Sequence, residues 1–141
     1  MSVVLTLHLL GIGIWMGVVG AEFAIEYAGM RDQESRIRAA ELHYWTDLWV
    51  ELPAFVIVLV TGALMLTDQH LEGLFLAKVI FGLLTIAFNI VCVYAVVKRH
   101  QSAVRGDVEG MDRADRVLRR TTGIIPSFLI AFALGAYFVV R

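Results

Sequence analysis

Four long apolar stretches, separated by short polar segments, account for most of this 141-residue chain. They run over residues 3–29, 45–67, 74–97 and 117–140. A helix needs about 20 residues to cross a hydrocarbon core of about 30 Å, and each stretch is long enough. Little chain is left between them for a soluble domain. The pattern therefore predicts an all-α integral membrane protein, a single four-helix bundle formed by residues 1–141.

Composition agrees with the hydropathy pattern. Hydrophobic residues make up 59% of the chain, whereas soluble globular domains have about 45–50%. The lipid bilayer is therefore the expected surroundings of the helices. A net charge of −1 gives no reason to expect a nucleic-acid partner, because such partners are held by clustered positive charge.

The positive charges are unevenly distributed between the connecting segments. The loop over residues 68–73 has no Lys or Arg, whereas the other two connections are basic. Basic loops of membrane proteins face the cytoplasm. The sequence thus predicts a multi-pass protein with both termini on the outer side, which in a bacterial inner membrane is the periplasmic side. The basic residues are Arg31, Arg36, Arg38, Lys98, Arg99, Arg105, Arg113, Arg116, Arg119 and Arg120.

A histidine lies inside the first apolar stretch. An imidazole in lipid is costly unless it has a partner, so His8 is a candidate functional residue. At about 100° per residue, His8, Trp15, Glu22 and Glu26 fall within roughly 40° of one another on a helix. One face of the first helix is therefore polar and aromatic along its length.

The second helix brings further ionisable groups to the cytoplasmic side. His43, Asp47 and Glu51 follow one another at i, i+4 and i+8, near the level of Glu22 and Glu26. Such a cluster between facing helices is able to hold a metal or relay protons. Alternatively, these are interfacial charges paired with Arg116, Arg119 and Arg120. We favour ion pairing for Asp47 and Glu26. Glu22 and Glu51 lie deeper and are the better candidates for a catalytic or proton-transfer role.

The third stretch has polar residues at spacings that place them on one helical face. Lys78, Thr85, Asn89 and Cys92 are 7, 4 and 3 residues apart. A lone lysine near a helix end usually extends to the interface. The shared face with Thr85 and Asn89 favours the alternative that these side chains point into the bundle.

Small residues and helix breakers indicate where helices approach or bend. Stripes of small side chains allow close helix packing in lipid. Pro53 and Pro126 are expected to kink their helices, and Gly106 and Gly110 to break the helical segment of the second basic connection. The stripes comprise Gly13 and Gly17 in the first stretch and Gly123, Ser127, Ala131 and Gly135 in the fourth.

Axial ligation of a haem by two histidines requires both at a similar depth. The predicted topology allows two pairs, His8 with His70 or His43 with His100. His8 alone is well inside a span, so we expect it to be the first ligand.

These residues resemble a known family. The run His8-Leu-Leu-Gly-Ile-Gly-Ile-Trp15-Met16-Gly17 is similar to the first helix of HemJ-type protoporphyrinogen IX oxidases and of the related copper-resistance protein D (CopD) membrane domain. The resemblance extends through the other three spans in order, although residues 21–27 read AEFAIEY where the oxidases have a Pro-Arg pair and then a histidine. The matching positions there are Pro53, Thr61-Gly62, Lys78 with the apolar stretch to Asn89, and Pro126.

The resemblance implies a haem-b-binding membrane protein that acts in electron transfer or porphyrin oxidation. His8 would be an axial ligand, with His70 as a possible second. Trp15 would stack on the porphyrin or pack beside it, and Lys78 and Asn89 would contact propionates or substrate. Glu22 and Glu51 would provide a proton route to the cytoplasm. The electron partner would be a respiratory protein or a quinone.

Two alternatives have other chemistry. Copper(I) prefers sulfur and imidazole ligands, and a CopD-like copper protein would use ligands from a set of one histidine and several sulfur residues. The other alternative is an accessory subunit of a larger membrane complex or a homo-oligomer. The copper candidates are His8, Met16, Met65 and Cys92, with Met30 and Met111 near the basic segments.

Overall fold

The computed structural model describes residues 2–66 and 72–140, apart from the side chains of residues 122, 139 and 140. These residues form helices joined by short turns. The helices are α1 (Val3–Gly29), α2 (Gln33–Thr46), a π-helical turn (Asp47–Glu51), α3 (Leu52–Leu66), α4 (Gly73–Val104), α5 (Val108–Arg120), a 3₁₀ turn (Thr121–Gly123) and α6 (Ile124–Val140).

Four helical segments are long and apolar enough to cross a membrane, which confirms the all-α class and the multi-pass prediction. The first coincides with the predicted span at residues 3–29. The others extend beyond the apolar residues, to Gln33–Leu66, Gly73–Val104 and Val108–Phe138. Hydropathy marks only the lipid-facing part of a helix, and the added polar ends come from the basic connections, where the sequence also favours helix.

The chain divides into two compact units, Met1–Gln69 and His70–Arg141. In the first, α1 packs against the continuous helical segment formed by α2, the π turn and α3. In the second, α4 packs against α5 and α6. Each unit is thus a helical pair.

The first helical pair is closed by a short turn after Gly29. The Asp32 carboxylate accepts a hydrogen bond from the Ser35 backbone N–H at 2.7 Å and begins α2 as its N-cap. This bond lowers the pKa of Asp32 below its ordinary value, because it favours the ionised form. A Cβ at Gly29 would lie 2.6 Å from the Ala39 Cβ, so the two helices meet closely beside the turn.

Of the two glycines expected to break the helix in the second basic connection, only one does so. Gly106 has a φ of +69° and does end the helical segment, as expected. Gly110, in contrast, lies inside α5, so the prediction of a break there is wrong. Its missing side chain leaves room for Asp107, which caps α5 by accepting the Gly110 N–H at 2.8 Å, and for Ser102.

The prolines disturb hydrogen bonding near their own positions. Pro53 follows the π turn Asp47–Glu51, in which the Leu52 N–H bonds the Asp47 carbonyl five residues back. Pro126 follows the 3₁₀ turn Thr121–Gly123, in which the helix from α5 into α6 departs from α-helical geometry.

The small-residue stripes differ between the two pairs. In the fourth stretch, Gly123 of the 3₁₀ turn faces the Phe88 ring and Gly135 of α6 faces the Lys78 stem, which confirms packing against α4 there. Gly13 and Gly17 have no described atom within 4 Å of a built Cβ, so the close approach expected at these positions stays a prediction. Gly11 takes that role on α1, since a Cβ there would lie 3.0 Å from Val58.

Candidate functional sites in the first helical pair

Polar side chains recur along the faces that α1 and the α2–α3 segment turn towards each other. His8 meets Thr61, Trp15 meets Glu51, and Glu26 meets His43. The residue number rises on one helix as it falls on the other, so the two helices are antiparallel. The polar face expected from the helical wheel of α1 therefore lies against polar groups of its neighbour.

The imidazole of His8 lies against two consecutive residues of α3, Thr61 and Gly62. Its Nδ1 lies 2.9 Å from the Thr61 hydroxyl oxygen, which in turn lies 2.5 Å from the Ile57 carbonyl oxygen. The one hydroxyl proton goes to that carbonyl, so Thr61 accepts the Nδ1 proton of His8. The lone pair of the ring is then on Nε2, the nitrogen that would bind a metal.

Gly62 makes room for this ring. A Cβ at Gly62 would lie 3.3 Å from Cε1 of His8, so a side chain there would press on the imidazole. The Thr61-Gly62 pair therefore fixes both the tautomer and the position of the ring. His70, the predicted second ligand, lies outside the described residues.

Trp15 takes part in the packing of the helical pair. Its ring meets Phe55 edge to face, with centroids 5.8 Å apart, and only 4% of the residue is exposed. Its indole N–H donates to Glu51 Oε1 at 2.8 Å. A buried tryptophan usually finds such a partner. Trp15 and Glu51, predicted separately as a porphyrin contact and a proton carrier, are thus one hydrogen-bonded pair.

A second cluster joins three buried ionisable residues, Glu22, His43 and Asp47. Their ligand atoms lie within 4.8 Å of one another. Nε2 of His43 is 3.6 Å from Glu22 Oε2 and 3.4 Å from Asp47 Oδ1. On its other side, Nδ1 of His43 lies 2.6 Å from Glu26 Oε1. Of the two interpretations of these charges, the His/carboxylate cluster is the one that the first unit assembles.

Local backbone geometry places Asp47 in this cluster. Asp47 is the first residue of the π turn, one turn after His43, and faces the same side. Single π turns inside α-helices occur frequently at functional sites. No signal in the sequence apart from the nearby Pro53 indicates this turn.

The second unit contains the remaining predicted residues. Thr85 and Asn89 are buried, with 2% and 1% of their surface exposed, which confirms that this face of α4 is covered. Lys78 is half-buried, with its Nζ 5.4 Å from the centre of the Phe75 ring. Cys92 on the same face is half-buried.

One buried ion pair was not predicted. Arg99, counted among the cytoplasmic loop charges, is only 3% exposed, and its Nε lies 2.8 Å from Asp115 Oδ1. It joins α4 to α5. The sequence does not show which residues of α4 and α5 face each other. An arginine of an exposed loop therefore cannot be told from a buried one by sequence alone.

The methionines named for copper differ in their exposure. Met16 and Met30 are exposed, with 41% and 77% of their surface accessible. Met111 is buried in the second unit. Exposed thioethers on an apolar helix are typical of lipid contact.

No family model, curated protein or solved structure matches this chain. The resemblance to the HemJ-type oxidases and CopD stays a prediction.

Proposed function

We propose that the protein is a multi-pass membrane protein that binds haem b through His8 and acts in electron transfer or porphyrin oxidation. The observation that carries this proposal is the contact of the His8 imidazole with Thr61 and Gly62. Thr61 and Gly62, 53 and 54 positions away from it along the chain, fix its tautomer and make space for its ring. Histidines that ligate metals commonly donate the other ring N–H to a fixed acceptor, as His8 does to Thr61.

Bound haem b would supply one-electron chemistry at the level of His8. The chain's own residues would orient the ligand through Thr61 and Gly62. Lys78 and Asn89 would contact propionates or substrate, and His70 would be the second ligand.

Proton movement in this proposal follows the polar interface of the first helical pair. Glu51, held by Trp15, and Glu22, beside His43, lie on that interface at successive levels. They would carry protons towards the cytoplasmic side. Trp15 then acts as a positioning residue for Glu51 and packs beside the haem site.

The finer topology belongs to the same proposal. Both units would form one four-helix bundle in a bacterial inner membrane, with both termini on the periplasmic side. The electron partner would be a respiratory protein or a quinone. Labelling of single cysteines introduced at Ser2 and Arg105, in a Cys92→Ser background, tests the sidedness. We expect a membrane-impermeant thiol reagent to reach the first position from outside and the second only after lysis.

Absorption spectroscopy of the purified chain tests the haem proposal. We expect a Soret band when the protein is produced with sufficient haem, and a shift of this band on reduction. His8→Ala should reduce the bound haem at least about tenfold, as loss of a metal ligand does. His100→Ala is the matched control and should keep the band. Wild-type protein that purifies colourless and takes up no added haem would refute the proposal.

Thr61→Val tests the hydrogen bond between His8 and Thr61. Valine keeps the shape and removes the hydroxyl, so Nδ1 of His8 loses its acceptor. We expect weaker haem binding by roughly 10–100-fold, the range seen when an outer partner of a ligating histidine is removed. An unchanged affinity for haem would mean that the hydrogen bond between His8 and Thr61 does not support haem binding.

A further inference from the structure

The haem proposal uses only Glu22 of the second cluster, as a proton carrier, and does not use the convergence of its three side chains. Glu22 comes from α1, whereas His43 and Asp47 come from the α2–π segment. The three side chains converge in the interior of the first helical pair, with 7%, 5% and 2% of their surface exposed. We propose that Glu22, His43 and Asp47 bind a divalent transition-metal ion.

The spacing of the ligand atoms fits such an ion. Ligands held about 2.0–2.1 Å from a tetrahedral metal stand about 3.3–3.4 Å apart. His43 Nε2 lies 3.4 Å from Asp47 Oδ1 and 3.6 Å from Glu22 Oε2. All three ligand atoms lie within 4.8 Å of one another, so a closing movement of the two carboxylates would bring them to one ion.

Glu26 orients the histidine for this role. Its Oε1 lies 2.6 Å from Nδ1 of His43 and accepts the proton of that nitrogen. The lone pair on Nε2 then points at Glu22 and Asp47. A carboxylate behind a ligating histidine is a recurrent arrangement at metal sites, where it fixes the ring and raises its basicity. Without a cation, a nitrogen lone pair would face two carboxylates.

Asp47 gives an independent reason to expect a cation. Neither of its carboxylate oxygens has a hydrogen-bond partner among the described residues, and only 2% of Asp47 is exposed. Glu22 Oε1 is in the same state. Buried polar groups normally have partners, and a buried carboxylate without one is costly. A metal ion would satisfy oxygens of both residues at once.

The donor set restricts the kind of metal. One imidazole and two carboxylates favour Zn²⁺, Mn²⁺ or Fe²⁺, whereas Mg²⁺ and Ca²⁺ prefer oxygen ligands alone and copper(I) prefers sulfur. Three protein ligands leave a position open on a tetrahedral ion, as in sites where the metal exchanges or reacts.

A Zn²⁺ titration of the chelator-treated full-length chain in detergent tests the proposal. We expect one Zn²⁺ per chain, loss of binding in His43→Ala, and affinity lowered at least about tenfold in Asp47→Asn. Glu26→Gln should weaken binding by roughly 10–100-fold, because it acts through the histidine. Glu34→Gln is a matched control on the exposed side of α2 and should bind like the wild type.

X-ray absorption at the zinc edge needs no variant and guards against misfolding of the mutants. We expect nitrogen and oxygen ligands at about 2.0–2.1 Å, with the signature of one imidazole. A sulfur ligand at about 2.3 Å would place the ion at Cys92 and overturn the proposal. Wild-type protein that binds no Zn²⁺ would also overturn it, since a proton on His43 would then be the only cation in the cluster.

The metal site and the haem site are tested independently. His8→Ala should bind Zn²⁺ like the wild type, because His8 lies about 20 Å along α1 from Glu22 at 1.5 Å per residue. Loss of Zn²⁺ binding in His8→Ala would overturn the assignment to Glu22, His43 and Asp47. Loss of haem with retained Zn²⁺ binding in that variant supports both proposals.

Discussion

The hydrogen bond between Trp15 and Glu51 can be removed while an aromatic ring stays in place. Trp15→Phe keeps a ring against Phe55 and deletes the indole N–H, which lies 2.8 Å from the carboxylate. Glu51→Ala removes the acceptor. Each variant also changes packing, so only the double variant isolates the bond.

The expected size follows from burial and charge. Hydrogen bonds to charged groups contribute about 1.5–3 kcal/mol in soluble proteins. Bonds between membrane helices average about 0.6 kcal/mol and reach about 1.7. Trp15 and Glu51 are only 4% and 2% exposed, and the acceptor is a carboxylate. We therefore expect a coupling free energy near the top of the membrane range, about 1.5 kcal/mol.

Equilibrium unfolding measures this coupling. The wild type, both single variants and the double variant are unfolded by SDS from mixed micelles, and helix content is followed by circular dichroism. The free energies of unfolding then give the coupling directly. Glu51→Gln is a matched control, since it keeps an acceptor and removes the charge, and its loss should be smaller than that of Glu51→Ala.

A coupling below about 0.3 kcal/mol, within the scatter of independent sites, would refute this reasoning. It would mean that Trp15 and Glu51 do not bond in the folded protein. The role of Trp15 as a positioning residue for Glu51 would then be lost as well.

Three further results are expected. Gly29→Ala should destabilise the protein by about 1–3 kcal/mol, because the added methyl group overfills the contact with α2. Gly17→Ala is the control and should not lower the melting temperature, because no described atom lies within 4 Å of a Cβ built there. Asp115→Asn should lower the free energy of unfolding by about 3 kcal/mol, because the buried Arg99 loses the charged oxygen that lies 2.8 Å from its Nε; an unchanged melting curve would contradict this. The pKa of Asp32 is lowered, so the ionised carboxylate stabilises α2 fully above the ordinary pKa of an aspartate. This stabilisation is lost as the pH falls through the lowered pKa. Asp32→Asn should remove this contribution to the acid dependence of helix content.

The helices themselves were predictable from the sequence. Hydropathy fixed the first span, and the 3.6-residue period placed His8, Trp15 and Glu22 on the covered side of α1. The same reasoning placed Thr85 and Asn89 on a buried face of α4. Periodicity works here because it depends only on the residue's own helix.

The partners of these residues were not predictable. Which residue of α3 faces His8 depends on the register set by the turn after Gly29 and by the close contact beside it. The π turn also shifts the register before Pro53. Thr61 was noted only as part of a motif, and its role as the acceptor for His8 required both helices at once.

The haem content of the purified protein tests the central proposal most directly. Wild-type protein and His8→Ala are isolated from the same membranes under identical conditions, and haem is measured as its pyridine complex per polypeptide chain. We expect bound haem b in the wild type and at least about a tenfold loss in His8→Ala. Equal haem content in both proteins, or none in the wild type after haem is supplied, would contradict it.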